Sequence, residues 1–220
     1  HDYFDKALFG SHPLGYPVIG TESNLRSFTR DDLLKYIGKH YLPNRMVLAA
    51  AGNVSHDKLV ALAEKHFGST RKRSHAAGAE RKKPQLYHPE KKDFKKPIQQ
   101  AHICIGAQAW SIKSKHRYPT LVLNTLLGDG MSSRLFQNIR EKYGFAYSVY
   151  SYATLMSDAG VFSAYIGTDK QHIETSTDLI LKEFKKLRVK SVGKAELNRT
   201  KAQLKGSMML SLESIPNRMM

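Results

Sequence analysis

The sequence contains one cysteine, no long apolar run and few acidic residues, and each shortage excludes a class of protein. Cys104 has no second cysteine to pair with, so a fold held by internal disulfides is excluded. No stretch of about 18 apolar residues occurs, so no membrane span is predicted. The first ten residues lack a basic stretch followed by an apolar core, so no signal peptide is predicted. Cys104 itself, inside the apolar run AHICIGA, is predicted to be a buried small hydrophobe in a strand.

The shortage of acidic residues gives the chain a formal net charge of +16, from 35 lysines and arginines against 19 acidic residues. Such a charge raises the possibility of a nucleic-acid partner. The positive charge is concentrated between residues 71 and 96, in a segment without apolar periodicity, which is typical of a solvated linker. No zinc-finger spacing, helix-turn-helix pattern or RNA-binding aromatic motif accompanies it. We therefore predict no nucleic-acid partner; steeply salt-sensitive nucleic-acid binding would overturn this.

The remaining composition is that of a globular protein, with 41% hydrophobic and 25% charged residues. A length of 220 residues suits two domains of about 100 residues each. The pattern of elements predicts a first block over residues 1–69, a basic linker over 70–96 and a second block over 97–220.

Helix signals dominate the first block. Thr29 is a good N-cap, and Asp31 and Asp32 follow it in the first turn, where they favour the helix dipole. The predicted elements are helices over residues 1–9, 30–41 and 56–68, and a buried strand over 46–53.

The second block mixes strands and helices. Its predicted strands cover residues 99–110, 145–155 and 161–168, and its predicted helices cover 118–127, 133–143, 170–187 and 196–212. A tight turn over 156–160 joins two of the strands, which indicates antiparallel pairing. The sequence therefore predicts an α+β fold.

A complete catalytic constellation is missing from the residues themselves. No two of the ten histidines form an HxxxH or HxxEH pair, so no zinc site is predicted in this chain. No GxSxG motif occurs, and GDGMSS lacks the lysine and the spacing of a phosphate-binding loop, which makes it a predicted turn.

Two polar residues on either side of Gly144 remain as candidates for substrate contact. Arg140 offers a planar set of N–H donors, and Tyr147 offers a phenolic hydroxyl. Both groups could bind a peptide carbonyl or stabilise a developing oxyanion. The structural alternative is that Arg140 pairs with a carboxylate at a helix end while Tyr147 packs in a half-buried strand.

The stretch SRLFQNIREKYGFAYSVYS resembles the second-domain signature of the M16 zinc metallopeptidases. This family includes the mitochondrial processing peptidase, core subunits of respiratory complex III, pitrilysin, insulin-degrading enzyme and small bacterial processing proteases. The first block, from FGSHPLGYPVIGTESNLRSF to residue 68, and the ending KGSMMLSLESIPNRM are also similar to the family. The resemblance implies two homologous α+β domains of the LuxS/MPP-like metallohydrolase type, with antiparallel-rich sheets flanked by helices. Residues 1–69 would be the C-terminal part of the first domain, and 97–220 a second domain truncated at its C-terminus.

The resemblance also implies that the active site is divided between the two domains. Family members bind Zn²⁺ through an HxxEH motif and a later glutamate, and all of these residues would precede His1. The zinc ligands are therefore expected to be absent from this chain, which alone is expected to be inactive. The arginine and tyrosine that contact the substrate main chain in the family match Arg140 and Tyr147. The loop before that helix is matched by Gly128, Gly130, Ser132 and Ser133.

The function implied by the resemblance is that of part of a zinc-dependent metalloendopeptidase that cleaves peptides or presequences. The alternative is a non-catalytic homologue that acts as a structural or substrate-presenting subunit, and an intact upstream HxxEH motif would distinguish the two. Expected partners are a peptide substrate and a second M16 chain in a homo- or heterodimer. The expected location is the bacterial cytoplasm, with periplasmic and mitochondrial locations left open.

Overall fold

The computed structural model describes residues 1–68, 82–85 and 87–219. Its helices are α1 Asp2–Phe9, α2 Glu22–Ser27, α3 Arg30–His40, α4 His56–Phe67, α5 Arg117–Gly128, α6 Ile173–Val189, α7 Lys194–Ser211 and α8 Ile215–Met219. Its strands are β1 Ala101–Ala109, β2 Ala146–Leu155 and β3 Gly160–Thr168. The helices and strands predicted for the second block are all present, with ends shifted by a few residues.

The described chain divides into two compact units. Unit 1 holds residues 1–16 and 82–206, and unit 2 holds residues 17–68 and 207–219. Domain boundaries at 69/70 and 96/97 stay a prediction. Residues 70–81 and 86 of the predicted linker lie outside the described residues.

Unit 1 is built on a three-stranded antiparallel sheet in the order β1-β3-β2. The hairpin between β2 and β3 is closed by a hydrogen bond from the Met156 amide to the Ala159 carbonyl, 2.9 Å long. Helices α5 and α6 pack on this sheet. The arrangement confirms the predicted α+β fold with antiparallel strands.

One face of the sheet carries the main hydrophobic core, which the two helices cover. Each of these side chains is almost completely buried: Leu127, Leu135, Ile139, Ala146, Val149, Ala164, Ile166 and Ile180. They come from α5, β2, β3, α6 and the helical segment after α5, so the core joins the predicted elements of the second block. Burial of these apolar side chains is the main contribution that stabilises the folded state of such a domain.

Cys104 lies in β1 and is half-buried. Burial raises the pKa of its thiol, because it disfavours the charged thiolate. The prediction of a small hydrophobe in a strand is confirmed for the strand, while the side chain is only partly covered.

Unit 2 contains the capped helix that the sequence predicts. The Thr29 hydroxyl accepts a hydrogen bond from the Asp32 amide at 3.3 Å, and the Asp32 carboxylate accepts one from the Thr29 amide at 3.0 Å. This reciprocal capping box fixes the start of α3. The pKa of the Asp32 carboxyl is lowered, because the carboxylate accepts hydrogen bonds from the Thr29 hydroxyl, at 2.7 Å, and from the Thr29 amide.

The strand predicted over residues 46–53 is wrong. These residues have no regular secondary structure, and Val47 and Leu48 are exposed. A strand needs a neighbour to satisfy its amides and carbonyls. All three strands in the described part of the chain lie between residues 101 and 168, and none pairs with this run.

Candidate functional site

The helix predicted over residues 133–143 contains a π-helical turn, Phe136–Glu141. Leu135 and Ile139 are fully buried in the core and hold the segment against the sheet. A π turn holds an extra residue compared with an α turn and is often found at functional sites. Arg140 lies within this turn.

Arg140 is exposed and lies over an aromatic ring. Its guanidinium carbon is 4.8 Å from the centre of the Phe136 ring, a favourable cation–π distance. Among the residues that the structure describes, Arg140 forms no ion pair. The predicted alternative, a structural pair between Arg140 and a carboxylate, is therefore not seen, and the N–H groups remain available for a ligand.

Gly144 connects the π turn to strand β2. Its φ of +73° lies in the left-handed region, which other residues adopt only with strain. Its amide donates to the Arg140 carbonyl at 3.0 Å and closes the helical segment. The glycine thus ends the helical segment four residues after Arg140 and allows the chain to turn into the sheet.

Tyr147 is the extra residue of a β-bulge at the start of β2. Ala146 pairs with Thr168 and Ser148 pairs with Gly167, so Tyr147 has no partner across the ladder. A bulge of this kind redirects a side chain and is common beside active sites. Tyr147 lies in the half-buried strand β2, but its own side chain is 53% exposed and is not packed in the core.

The Tyr147 hydroxyl donates a short hydrogen bond of 2.6 Å to Asp169 Oδ1. This bond raises the pKa of Tyr147, because the neighbouring carboxylate favours the protonated phenol. Asp169 stands at the N-cap of the 3₁₀ turn Lys170–His172 and makes no capping bond with its side chain. Its carboxylate therefore accepts a hydrogen bond from Tyr147 and none from the backbone amides of the turn.

A histidine completes the surroundings of Asp169. His172 Nδ1 lies 3.6 Å from Asp169 Oδ2, and its ring stacks on Phe145 with centroids 4.5 Å apart and planes 5° apart. Phe145 directly precedes the bulge that carries Tyr147. The cluster of Phe145, Tyr147, Asp169 and His172 thus holds the end of β3 to the start of β2.

Replacing Asp169 with asparagine is expected to lower the Tyr147 pKa toward the ordinary tyrosine value, because the charge that favours the phenol is removed. The Tyr147 ring signals in NMR spectra recorded across an alkaline pH series report this pKa, with Tyr147→Phe used to assign them. Asp178→Asn, an exposed carboxylate on α6, is the control and leaves the titration unchanged. An unchanged Tyr147 titration in Asp169→Asn would contradict the hydrogen bond.

The glycine–serine loop before the helical segment has a structural role here. Gly130 has a φ of +87°, and the buried Ser133 donates from its hydroxyl to the Gly130 carbonyl at 2.7 Å. Ser132 is exposed, and Gly128 packs against β2. The loop sets where the segment bearing Arg140 begins.

A second polar cluster lies on the sheet face opposite the main core. The Tyr165 hydroxyl is 2.6 Å from His102 Nδ1, and the Tyr165 ring stacks on Tyr150 at 4.8 Å. His1 bridges the hydroxyls of Tyr150 and Tyr152 at 3.1 and 3.2 Å. No sequence motif marks these residues, although alternation along β2 and β3 places the tyrosines on one face.

A metal centre is not built by the described residues. Within 1–68, 82–85 and 87–219, no group of three or more histidine, cysteine, aspartate or glutamate side chains is placed to hold a metal ion. The donor set around Arg140 and Tyr147 does not fit Zn²⁺, so no chemical step through zinc is assigned to these residues. None of the described helices combines the length and the apolar character that a membrane span requires.

Comparison with known proteins identifies the family. The family model described as "Peptidase M16 inactive domain" matches residues 27–204. An uncharacterised zinc protease of Bacillus subtilis, YmxG, is 42% identical over the whole chain, which covers 53% of that relative. The chain therefore spans about half the length of such relatives.

Solved structures agree on the fold. A protease from Helicobacter pylori superposes with a TM-score of 0.85 at 23% identity, over 98% of this chain and 53% of that one. A chain of complex III from Candida albicans gives a TM-score of 0.82 at 24% identity, over 99% and 53% of the two chains. The family model matches residues 27–204, which is most of the chain, and the chain therefore belongs to the M16 peptidase family.

Proposed function

We propose that this chain is the substrate-binding part of a zinc-dependent M16 metalloendopeptidase, in which Arg140 and Tyr147 bind the main chain of a peptide. The observation that carries the proposal is the exposure of both side chains on two local irregularities joined by Gly144. Arg140 lies on the π turn and has no ion pair among the described residues, and Tyr147 lies on the β-bulge.

The two side chains supply complementary hydrogen-bonding groups. Arg140 can only donate, so its natural ligand is a peptide carbonyl or the oxyanion that develops from it. Tyr147 already donates to Asp169, so donation to a substrate carbonyl requires exchange of that bond. The exchange contributes little to binding while the acceptor is a neutral carbonyl, and contributes to catalysis when that oxygen develops into an oxyanion.

Zinc and the general base would come from the remainder of the peptidase. The name of the Bacillus relative, a zinc protease, supports this division, since the described residues of this chain offer no zinc site. When bound there, zinc would polarise the scissile carbonyl and activate water. The role of this chain would be to orient the peptide.

The proposal extends to the substrates, the partner chain and the cellular location. We propose processing-type cleavage of peptides or presequences, with recognition of the main chain and weak demands on sequence. A dimer with another M16 chain and a bacterial cytoplasmic location complete the proposal, the latter supported by the bacterial relative.

In the complete peptidase, Arg140→Ala is expected to lower kcat/KM about 100-fold, the usual effect of removing one donor to a developing oxyanion. Tyr147→Phe, which keeps the ring and removes the hydroxyl, is expected to lower kcat/KM about tenfold. A fluorogenic peptide assay measures both values.

Matched controls are Arg188→Ala on α6 and Tyr41→Phe just after α3, which remove the same groups from exposed positions outside the site. Both controls are expected to retain kcat/KM within about twofold, since exposed side chains away from such features contribute little. If Arg140→Ala and Tyr147→Phe also retain it, the proposed function is wrong.

A further inference from the structure

We propose that Glu183 is a positioning residue for Arg140, acting through Asn138 on the π-helical turn. The inference rests on the proposed function of Arg140. It adds a buried residue on α6, remote from solvent, to the parts on which substrate binding depends.

Glu183 is a buried carboxylate with an unusual set of partners. It is 3% exposed. Its Oε1 accepts hydrogen bonds from Asn138 Nδ2 at 3.1 Å and from Lys186 Nζ at 2.6 Å. Its Oε2 is buried and has no hydrogen-bond partner among the described residues. A buried carboxylate is costly even when paired, so hydrophobic packing alone does not account for its presence.

Asn138 connects this carboxylate to the π turn. It lies inside Phe136–Glu141, two residues before Arg140, and its neighbour Ile139 is fully buried. The bond to Glu183 therefore holds the middle of the turn to α6. Ile139 fixes the same stretch from the core side.

A second anchor holds the segment just before the turn. Arg134 forms a two-pronged pair with Glu196 of α7, with Nε–Oε1 and Nη2–Oε2 distances of 2.7 Å. Such a paired geometry fixes orientation as well as position. The segment is thus fixed at Arg134 and Asn138 and ends at Gly144, which leaves little freedom for the backbone at Arg140.

The geometry of the turn makes the anchor at Asn138 important for the direction of Arg140. Each residue of a helix advances the chain by about 100° around the axis. If the π turn relaxes into an α turn, one residue leaves the turn. The side chains that follow then rotate around the helix axis by about 100°. The bond between Glu183 and Asn138 opposes this relaxation.

A double-mutant cycle in the complete peptidase tests the inference. Glu183→Leu removes the acceptor while keeping most of the volume, and is expected to lower kcat/KM about tenfold when Arg140 is present. In the Arg140→Ala background the same change is expected to have an effect of less than about twofold. Glu183→Gln keeps an acceptor for Asn138 and is expected to retain most of the activity. Glu174→Gln, at an exposed glutamate of α6, is the control.

Hydrogen exchange on the 220-residue chain gives a readout that does not depend on activity. Asn138→Ala, a milder change than Glu183→Leu, is expected to speed amide exchange from Phe136 to Gly144 relative to Glu174→Gln. Asn138→Ala also tests the positioning role if Glu183→Leu does not fold.

Three results separate the inference from the proposed function. Equal loss from Glu183→Leu in both backgrounds, or unchanged exchange in Asn138→Ala, overturns the positioning role while the effect of Arg140→Ala still supports the proposed function. No effect of Arg140→Ala on kcat/KM overturns the proposed function itself. Loss confined to the background that retains Arg140, with rescue by Glu183→Gln, supports both.

Discussion

Replacing Gly128 with alanine is expected to destabilise unit 1 by about 3 kcal/mol or more, at the upper end for overpacked cores. Gly128 is the last residue of α5 and packs directly on β2. A Cβ placed there collides with the Ser151 amide nitrogen, and lies 2.6 Å from Ser151 Oγ and 2.7 Å from the Tyr150 carbonyl carbon. Two of these atoms belong to the backbone, so a change of rotamer cannot relieve the overlap and α5 must move away from the sheet.

The helix–strand contact at Gly128 is reinforced by a side chain, which makes such a shift more costly. The single proton of the Ser151 hydroxyl is shared between two acceptors, Asn124 Oδ1 at 2.8 Å and the Asn124 carbonyl at 3.1 Å. Displacement of α5 would break these bonds and leave buried groups unpaired.

Fluorescence of Trp110, the single tryptophan and part of unit 1, follows the urea unfolding of that unit. Gly206→Ala on α7 is the matched control, since an added Cβ there meets nothing within 4 Å. It is expected to raise the free energy of unfolding slightly, by up to about 1 kcal/mol, through helix propensity. Equal unfolding midpoints for Gly128→Ala and the unaltered chain would contradict the close packing of α5 on β2.

Local signals predicted the regular elements well. Period-2 alternation predicted β2, and the turn after it indicated the hairpin that pairs β2 with β3. Thr29 as an N-cap, followed by Asp31 and Asp32 in the first turn, predicted the start of α3, where the structure forms a capping box. These features depend on residues close together in the chain.

The strand prediction over residues 46–53 is wrong for a different reason. An apolar run of strand length specifies burial, but a strand also needs a hydrogen-bonded neighbour. The described part of this chain provides none for that run, so its backbone stays irregular. Periodicity cannot report the presence of a partner strand.

Only part of the candidate site could be predicted from the sequence. Arg140 and Tyr147 are polar residues flanking Gly144 that match the substrate-contacting arginine and tyrosine of the family, and the structure exposes both. The π turn and the β-bulge that carry them were not predicted, because both arise where a segment must satisfy contacts on two sides at once. Asp169 was also missed, since its role depends on the pairing of β2 with β3.

Shortening Ile180 to alanine is expected to lower the free energy of unfolding of unit 1 by about 3 kcal/mol. Ile180 lies on α6, is fully buried, and joins the core of α5, β2 and β3 side chains. The change removes apolar contact and leaves a cavity that the surrounding strands fill only in part. Alanine has the higher helix propensity, so the loss reflects packing and not the helix itself.

Leu181→Ala is the matched control because it makes a similar deletion one residue further along the same helix, where the side chain is 46% exposed. Exposed apolar groups contribute little to folding, so this control is expected to change the free energy of unfolding by less than about 1 kcal/mol. Urea titrations of both variants, followed through Trp110, give the comparison. Since α6 also carries Glu183, a small effect of Ile180→Ala would mean that α6 is loosely held on the sheet. A loosely held α6 could not fix the π turn that carries Arg140, so the packing of Ile180 and the placement of the substrate-binding arginine depend on the same helix.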